Sequence, residues 1–215
     1  MKKIVNVVFG ILVLIIIAEC GLQYYTGKKV DKEIESISSK IIRFHVLANS
    51  DKDSDQALKL KVKDEVIKFI TPKLKDSKSI NESREILKKY DNDIKNIALK
   101  IIKKSGYDYS VATSLQKENF PIKVYGNITL PQGEYEAYRI LIGESEGKNW
   151  WCVMFPPLCF VDITKGQVAY KETENRMKNV LTEDEYSLVD NTNKENEIKF
   201  KFKIVEILKD SGLIK

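Results

Sequence analysis

The chain has 215 residues, of which 43% are hydrophobic and 31% are charged, so it can bury a core of ordinary size and is not intrinsically disordered. Its 36 basic and 31 acidic residues give a net charge of +5 and are mixed along the sequence, which disfavours nucleic acid as a partner. With one histidine and three cysteines, the chain lacks the usual side-chain sets of hydrolases and metal sites, so no metal or cofactor is expected.

The N-terminus has the pattern of an export signal, because a positive start at residues 1–3 precedes an apolar run at residues 4–18. As a helix this run would be about 22 Å long, which is short against a hydrocarbon core of roughly 30 Å. Two interpretations of residues 1–20 stay open: a signal peptide cleaved near Cys20, or a retained signal anchor whose span includes Leu22–Tyr25 and contacts the membrane. Both predict an extracytoplasmic protein.

Residues 21–39 are mostly polar and are predicted to form a linker or membrane-proximal stalk before a domain at residues 40–215. Residues 40–48 are rich in β-branched and aromatic side chains, which predicts a central strand. Helix-capping residues at 53–55 and apolar residues at helical spacing then predict a first helix that ends at Pro72.

A second helix is predicted from apolar residues at helical spacing between Ile86 and Ile102. The period then changes to alternation, and strands are predicted at Glu134–Ile142 and Asn149–Phe155, joined as a hairpin by the glycine-containing loop at residues 143–147. A further strand is predicted at Leu158–Asp162. Short helices are indicated within residues 176–181 and 183–189, and the pattern of residues 198–208 predicts no particular secondary structure.

The order of elements predicts a single α+β domain with two helices packed on one face of an antiparallel or mixed sheet, preceded by the N-terminal signal or anchor helix.

Two sets of residues resemble catalytic motifs. Gly143–Gly147 matches G-x-S-x-G around Ser145, but the segment that follows resembles a strand, and His45 lies upstream of the serine, so a loop is favoured. Cys152 or Cys159 could pair with His45 as nucleophile and base, although the mid-strand position of His45 favours a structural role. We therefore expect no enzyme activity, and an exported cell-wall or peptide hydrolase using Cys152 or Ser145 is the alternative.

A disulfide between Cys152 and Cys159 is compatible with export, since oxidised pairs persist outside the cytoplasm. A tight turn at Pro156–Pro157 would leave Cys159 diagonal to Cys152, beyond easy bridging distance, so the bond requires a wider loop. Both a disulfide and two buried free thiols stay open.

The aromatic segment at residues 149–162 contains both tryptophans of the chain. Strand alternation sends Trp150 and Trp151 to opposite faces, which indicates either a sheet covered on both sides or an exposed aromatic anchor for a protein partner.

Five segments resemble the stage II sporulation protein R family: residues 42–51, 55–64, 130–137, 142–144 and 149–162. The resemblance covers roughly residues 40–165. It implies a signalling protein made in the forespore and exported into the space between the forespore and mother-cell membranes. There it would activate a membrane-bound, aspartic-type sporulation protease of the mother cell, which removes the pro-segment of the sigma-E precursor.

No family motif assigns the binding surface for this partner. We hypothesise that the contact residues lie at the end of the first strand and near the proline turn: His45, Asn49, Asp51, Trp150, Trp151, Pro156 and Pro157.

Overall fold

The computed structural model describes residues 30–160 and 167–192, together with Gly10 and Lys28. The chain divides into two units, Met1–Ser36 and Ile37–Lys215, and the fold described below is that of the second unit. Residues 30–39 of the predicted linker are helical (α1). The predicted signal or anchor at residues 1–20 lies outside the described residues apart from Gly10, as do residues 198–208. Among the helices that are described, none has the length and apolar character needed to cross a membrane.

The fold is α+β and is built on a mixed sheet. Its strands are β1 (Ile42–Leu47), β2 (Val111–Phe120), β5 (Gly133–Ile142) and β6 (Asn149–Phe155), and their order across the sheet is β2-β5-β1-β6. β1 is parallel to β5 and antiparallel to β6, and β5 is antiparallel to β2. Two short strands, β3 (Lys123–Tyr125) and β4 (Ile128–Leu130), form a separate hairpin that turns at Gly126.

The prediction that the first strand is central is confirmed, but the predicted β5–β6 hairpin is wrong because β1 lies between these two strands. Five of the six residues of β1 are buried, so its backbone polar groups require hydrogen-bonding partners along both edges. Loop glycines indicate a turn, but they do not specify which strands pair across it.

Three helices cover one face of the sheet: α2 (Asp53–Leu74), α3 (Ile80–Lys89) and α4 (Asp91–Lys104). The single helix predicted from Ile86 to Ile102 is therefore two helices, which meet at Tyr90, where the backbone leaves the helical region (φ −101°, ψ 11°). α2 also continues past Pro72, because a proline near the end of a helix removes only one hydrogen bond. Phe44, Val66 and Ile140 are among the fully buried residues of this layer.

The opposite face is also covered, which differs from the prediction of helices on one face only. Here the β3–β4 hairpin and α5 (Gln167–Lys178) and α6 (Glu183–Val189) pack over the sheet and bury Phe120, Leu130 and Met177. The predicted helix at residues 183–189 is confirmed as α6, which begins with a capping box formed by Thr182 and Glu185. The strand predicted at Leu158–Asp162 is wrong for the residues of this segment that the structure describes, because Leu158–Phe160 is a 3₁₀ helix.

Candidate functional site

The loop at residues 143–148 crosses over the carboxyl end of β1 and is hydrogen-bonded to the segment that follows this strand. The backbone N–H groups of Gly147 and Glu146 donate to the carbonyls of Ala48 and Asn49, at 3.0 and 3.3 Å. The backbone N–H of Lys148 donates to Asp51 Oδ1 at 2.6 Å, and that of Glu144 donates to Asn49 Oδ1 at 3.0 Å. We call this arrangement, formed by residues 48–55 and 143–148, the loop lock.

Asp55 anchors the same arrangement from the first turn of α2. Its buried carboxylate accepts hydrogen bonds from Asn49 Nδ2 (2.9 Å), Ser50 Oγ (2.6 Å) and Tyr109 Oη (3.0 Å). The bonds from Asn49 and Ser50 lower the pKa of the Asp55 carboxyl. Asn49 and Asp51, which we predicted as partner contacts, are therefore already engaged within the domain, and Asp51 is the exposed one of the two.

The two glycines of the loop are required by its close approach to β1. A Cβ atom at Gly147 would overlap the carbonyl oxygen of Ser50, and a Cβ atom at Gly143 would overlap the Asn49 side chain. Gly143 also has a φ of +58°, which disfavours other residues. The G-x-S-x-G resemblance is thus explained by packing, and Ser145 Oγ lies 3.5 Å from the carbonyl oxygens of Ile142 and Gly143.

His45 belongs to a row of side chains that crosses all four strands of the main sheet on its α5–α6 face. The register places Ser114 beside Arg139, Arg139 beside His45, and His45 beside Trp151. The His45 ring stacks on Trp151 with centroids 5.0 Å apart and planes inclined by 10°, and it also contacts Phe120 at 5.2 Å. The side chain is only 4% exposed, and neither ring nitrogen has a hydrogen-bond partner among the described residues.

The surroundings of His45 act on its pKa in both directions. Burial is the largest cause and lowers the pKa to about 4 together with repulsion from Arg139, against smaller opposing contributions from Asn149 and Glu118. Arg139 itself forms an ion pair with Glu118 on β2. The ring is therefore neutral at pH 7 and packs as an aromatic side chain.

Arg43 is a buried cation that the sequence analysis did not single out. Its guanidinium lies 4.5 Å from the Phe120 ring centroid, 4.8 Å from that of Tyr135 and 5.5 Å from that of Tyr125. Its Nη2 donates to Tyr125 Oη at 3.1 Å, while Nε and Nη1 have no acceptor among the described residues. Burial lowers its pKa, and the aromatic rings stabilise the charge. An arginine inside a strand that is predicted to be central is the sequence signal that could have indicated this cluster.

The two tryptophans occupy opposite faces of β6, and both are half-buried. Trp150 contacts Phe44 edge to face at 5.8 Å and lies under Lys63 Nζ at 5.0 Å, on the side of α2. Trp151 contacts Phe120 at 4.8 Å, and Lys123 Nζ lies 5.6 Å from its ring centroid. The sheet is thus covered on both sides around this segment, although solvent still reaches part of each indole.

The proline turn is held by a covalent bond. Pro156 and Pro157 are buried, and Cys152 and Cys159 form a disulfide with Cα atoms 5.7 Å apart. The bond fits because the chain enters a 3₁₀ helix after the prolines and does not return at once as a strand.

The structure does not bring the proposed catalytic residues together. Cys152 packs in the core beneath α2–α4, whereas His45 points to the opposite face of the sheet, so they cannot act as nucleophile and base in this fold. Within the described residues, no group of three or more His, Cys, Asp or Glu side chains could hold a metal ion.

Comparison with known proteins identifies the class of this domain. The family model described as stage II sporulation protein R matches residues 38–165, a range that includes every strand described above. The chain is also 38% identical over 221 residues to stage II sporulation protein R of Bacillus subtilis (strain 168), and the alignment covers 98% of this chain and 99% of that protein. No solved structure matches.

The chain therefore belongs to the stage II sporulation protein R family, which places its role in sporulation. The segments that carried the resemblance in the sequence include β1, the first half of α2, parts of β5 and of the loop lock, β6 and the disulfide-bonded turn.

Proposed function

We propose that this protein is exported from the forespore and acts in the intermembrane space by binding the extracytoplasmic part of a membrane-bound, aspartic-type protease. Binding that favours the active state of the protease would start processing of the sigma-E precursor, which requires tighter binding to that state than to the inactive one. The observation that carries the proposal is the 38% identity to stage II sporulation protein R of Bacillus subtilis, which extends over 98% of this chain.

The geometry supports a binding function more than a catalytic one. The residues first considered as nucleophiles are in a disulfide or a glycine loop, and the polar side chains of the loop lock are engaged in structural hydrogen bonds. Among the seven proposed contact residues, the exposed Asp51 and the half-buried Asn49, Trp150 and Trp151 are within reach of a partner, while His45, Pro156 and Pro157 are buried. We therefore propose direct contact by the first four and a supporting role for His45, while the two prolines would contribute through the surface of the turn that they form.

Co-expression tests the proposal. The full chain, the membrane protease and the sigma precursor are produced together in a host that does not sporulate, and cleavage of the precursor is followed on a gel. We expect cleavage only when the exported protein is present. Absence of cleavage with a folded, exported protein would contradict the proposal.

Three variants test where the contact lies and whether Ser145 acts in hydrolysis. Trp151→Ala is expected to reduce cleavage, whereas Tyr170→Ala, which removes another partly exposed aromatic ring on α5, is expected to leave it unchanged. Ser145→Ala is expected to have no effect, since the hydroxyl performs no chemistry in the proposed mechanism. Loss of cleavage in folded Ser145→Ala would instead favour an exported hydrolase.

A further inference from the structure

A cavity of about 420 Å³ lies where the proline turn meets the α2–α3 connection and the end of α5. Its apolar side is formed by Phe155, Pro156, Pro157 and Val180. The polar side carries three basic residues, Lys75, Lys78 and Arg176. Among the described residues that line the cavity, every charged side chain is positive.

The three basic side chains differ in how strongly they are already held by hydrogen bonds and ion pairs within the domain. Arg176 donates to the carbonyl of Pro157 and to Glu172 Oε1, both at 2.6 Å, so it supports the wall of the cavity. Lys75 Nζ lies 4.0 Å from the carboxylate of Asp76, and both side chains are more than half exposed, so solvent weakens this pair. Lys78 is exposed. Lys75 and Lys78 thus leave the rim with positive charge for a ligand.

We infer that this cavity binds a peptide segment of a partner protein in which a carboxylate side chain is adjacent to an apolar one. The carboxylate would pair with Lys75 and Lys78, and the apolar side chain would cover the proline rings and Val180. Rigid proline rings lose little conformational entropy on binding, which suits them to form the floor of such a site. The identity of the partner as the protease rests on the proposed function, whereas the chemistry of the cavity does not.

A peptide titration tests the chemistry without any activity assay. The ¹⁵N-labelled full chain is titrated with the acetylated and amidated tripeptide Leu-Glu-Leu, and in parallel with Leu-Gln-Leu, while amide resonances are followed by NMR. We expect saturable shifts at Ser77, Lys78, Asn179 and Val180, with about fivefold weaker binding of the glutamine peptide. The inference would be overturned if the two peptides bound equally, if the shifts occurred elsewhere, or if there were no shifts. Absence of shifts is the result expected if another part of this chain fills the cavity.

A charge reversal tests the site in the full protein. Lys75→Glu/Lys78→Glu is expected to abolish binding of Leu-Glu-Leu and to reduce precursor cleavage at least about tenfold. Lys88→Glu/Lys89→Glu makes the same charge change near the end of α3, away from the cavity, and is expected to behave like wild type. Both sets of lysines are exposed, and circular dichroism verifies that the variants fold.

The outcomes separate the two proposals. If wild-type protein does not trigger cleavage but binds the acidic peptide as expected, the proposed function fails and the cavity stands. If wild-type protein triggers cleavage and the Lys75→Glu/Lys78→Glu variant triggers it equally well, the cavity is not the contact and this inference fails.

Discussion

His45 shows how the burial of one side chain decides its chemistry. The ring stacks on Trp151 and lies against Phe120, in a place where a positive charge would be poorly solvated and close to Arg139. The pKa therefore falls to about 4 from an ordinary value of 6.5. A histidine that the sequence offers as a candidate for catalysis or partner contact is an uncharged packing residue in the fold.

This pKa shift predicts a pH dependence of stability. Between pH 6.5 and about 4 the unfolded chain binds a proton on His45 that the folded chain does not bind, so stability present above pH 6.5 is lost as the pH falls. We expect His45 to account for a loss of about 3 kcal/mol in the free energy of unfolding between pH 7 and pH 4. Denaturant unfolding of wild type and His45→Phe at several pH values measures this difference.

NMR provides an independent measurement, because the chain has one histidine and its imidazole resonance needs no assignment by mutation. The expected titration midpoint is near pH 4. A midpoint near 6.5 would show that the ring is accessible to solvent in the folded protein.

Gly147 is a second position where the effect of one side chain on stability can be predicted, because the loop leaves no room for a Cβ atom. A Cβ atom there would overlap the Ser50 carbonyl, and a backbone oxygen held in the loop lock cannot move aside as a flexible side chain could. We expect Gly147→Ala to lower the free energy of unfolding by about 3 kcal/mol. Gly106→Ala is the control, with open space around its Cβ and a cost of about 1 kcal/mol that arises from its positive φ alone. Equal effects of the two changes on chemical denaturation would argue against the close packing of the loop.

Individual helices and strands were predictable from the sequence where their patterns are local. The apolar spacing of α2 and the β-branched residues of β1 each predict the observed element, and α6 was indicated as a short helix at residues 183–189. Pairing was not predictable in the same way, because β1 inserts between β5 and β6 through hydrogen bonds to residues far along the chain. The contacts of the candidate site were not predictable for the same reason, since no local pattern indicates that Asn49 and Asp51 would bind the loop after β5.

The disulfide joins β6 to the 3₁₀ helix that follows it, so the bond stabilises the connection between these two elements. A bond across a sequence separation of seven residues is expected to contribute roughly 2.5 kcal/mol by restricting the unfolded chain. We expect dithiothreitol to lower the denaturation midpoint of wild type and to leave that of Cys152→Ala/Cys159→Ala unchanged. Equal effects on both proteins, or rapid alkylation of wild-type Cys152 and Cys159 without reductant, would contradict the bond.

The described part of the second unit is arranged around β1, which has neighbouring strands on both edges and packed elements on both faces. We therefore expect the amides of β1 and β5 to be the slowest to exchange with deuterium, since their opening requires unfolding of the entire sheet. β2 and β6 form the edges of the described sheet and should exchange faster. Peptide-resolved hydrogen exchange measures this order, and faster exchange in β1 than in β2 would contradict the central position of β1.

The insertion of β1 also has a consequence for how the chain is made. Ile42 pairs with Glu136 on one side and with Phe155 on the other, so this early strand waits for partners that leave the ribosome much later. Such high contact order makes folding slow, because distant segments must meet before the core closes. A nascent chain with this topology therefore cannot complete its sheet until β6, the last described strand in the sequence, has been synthesised.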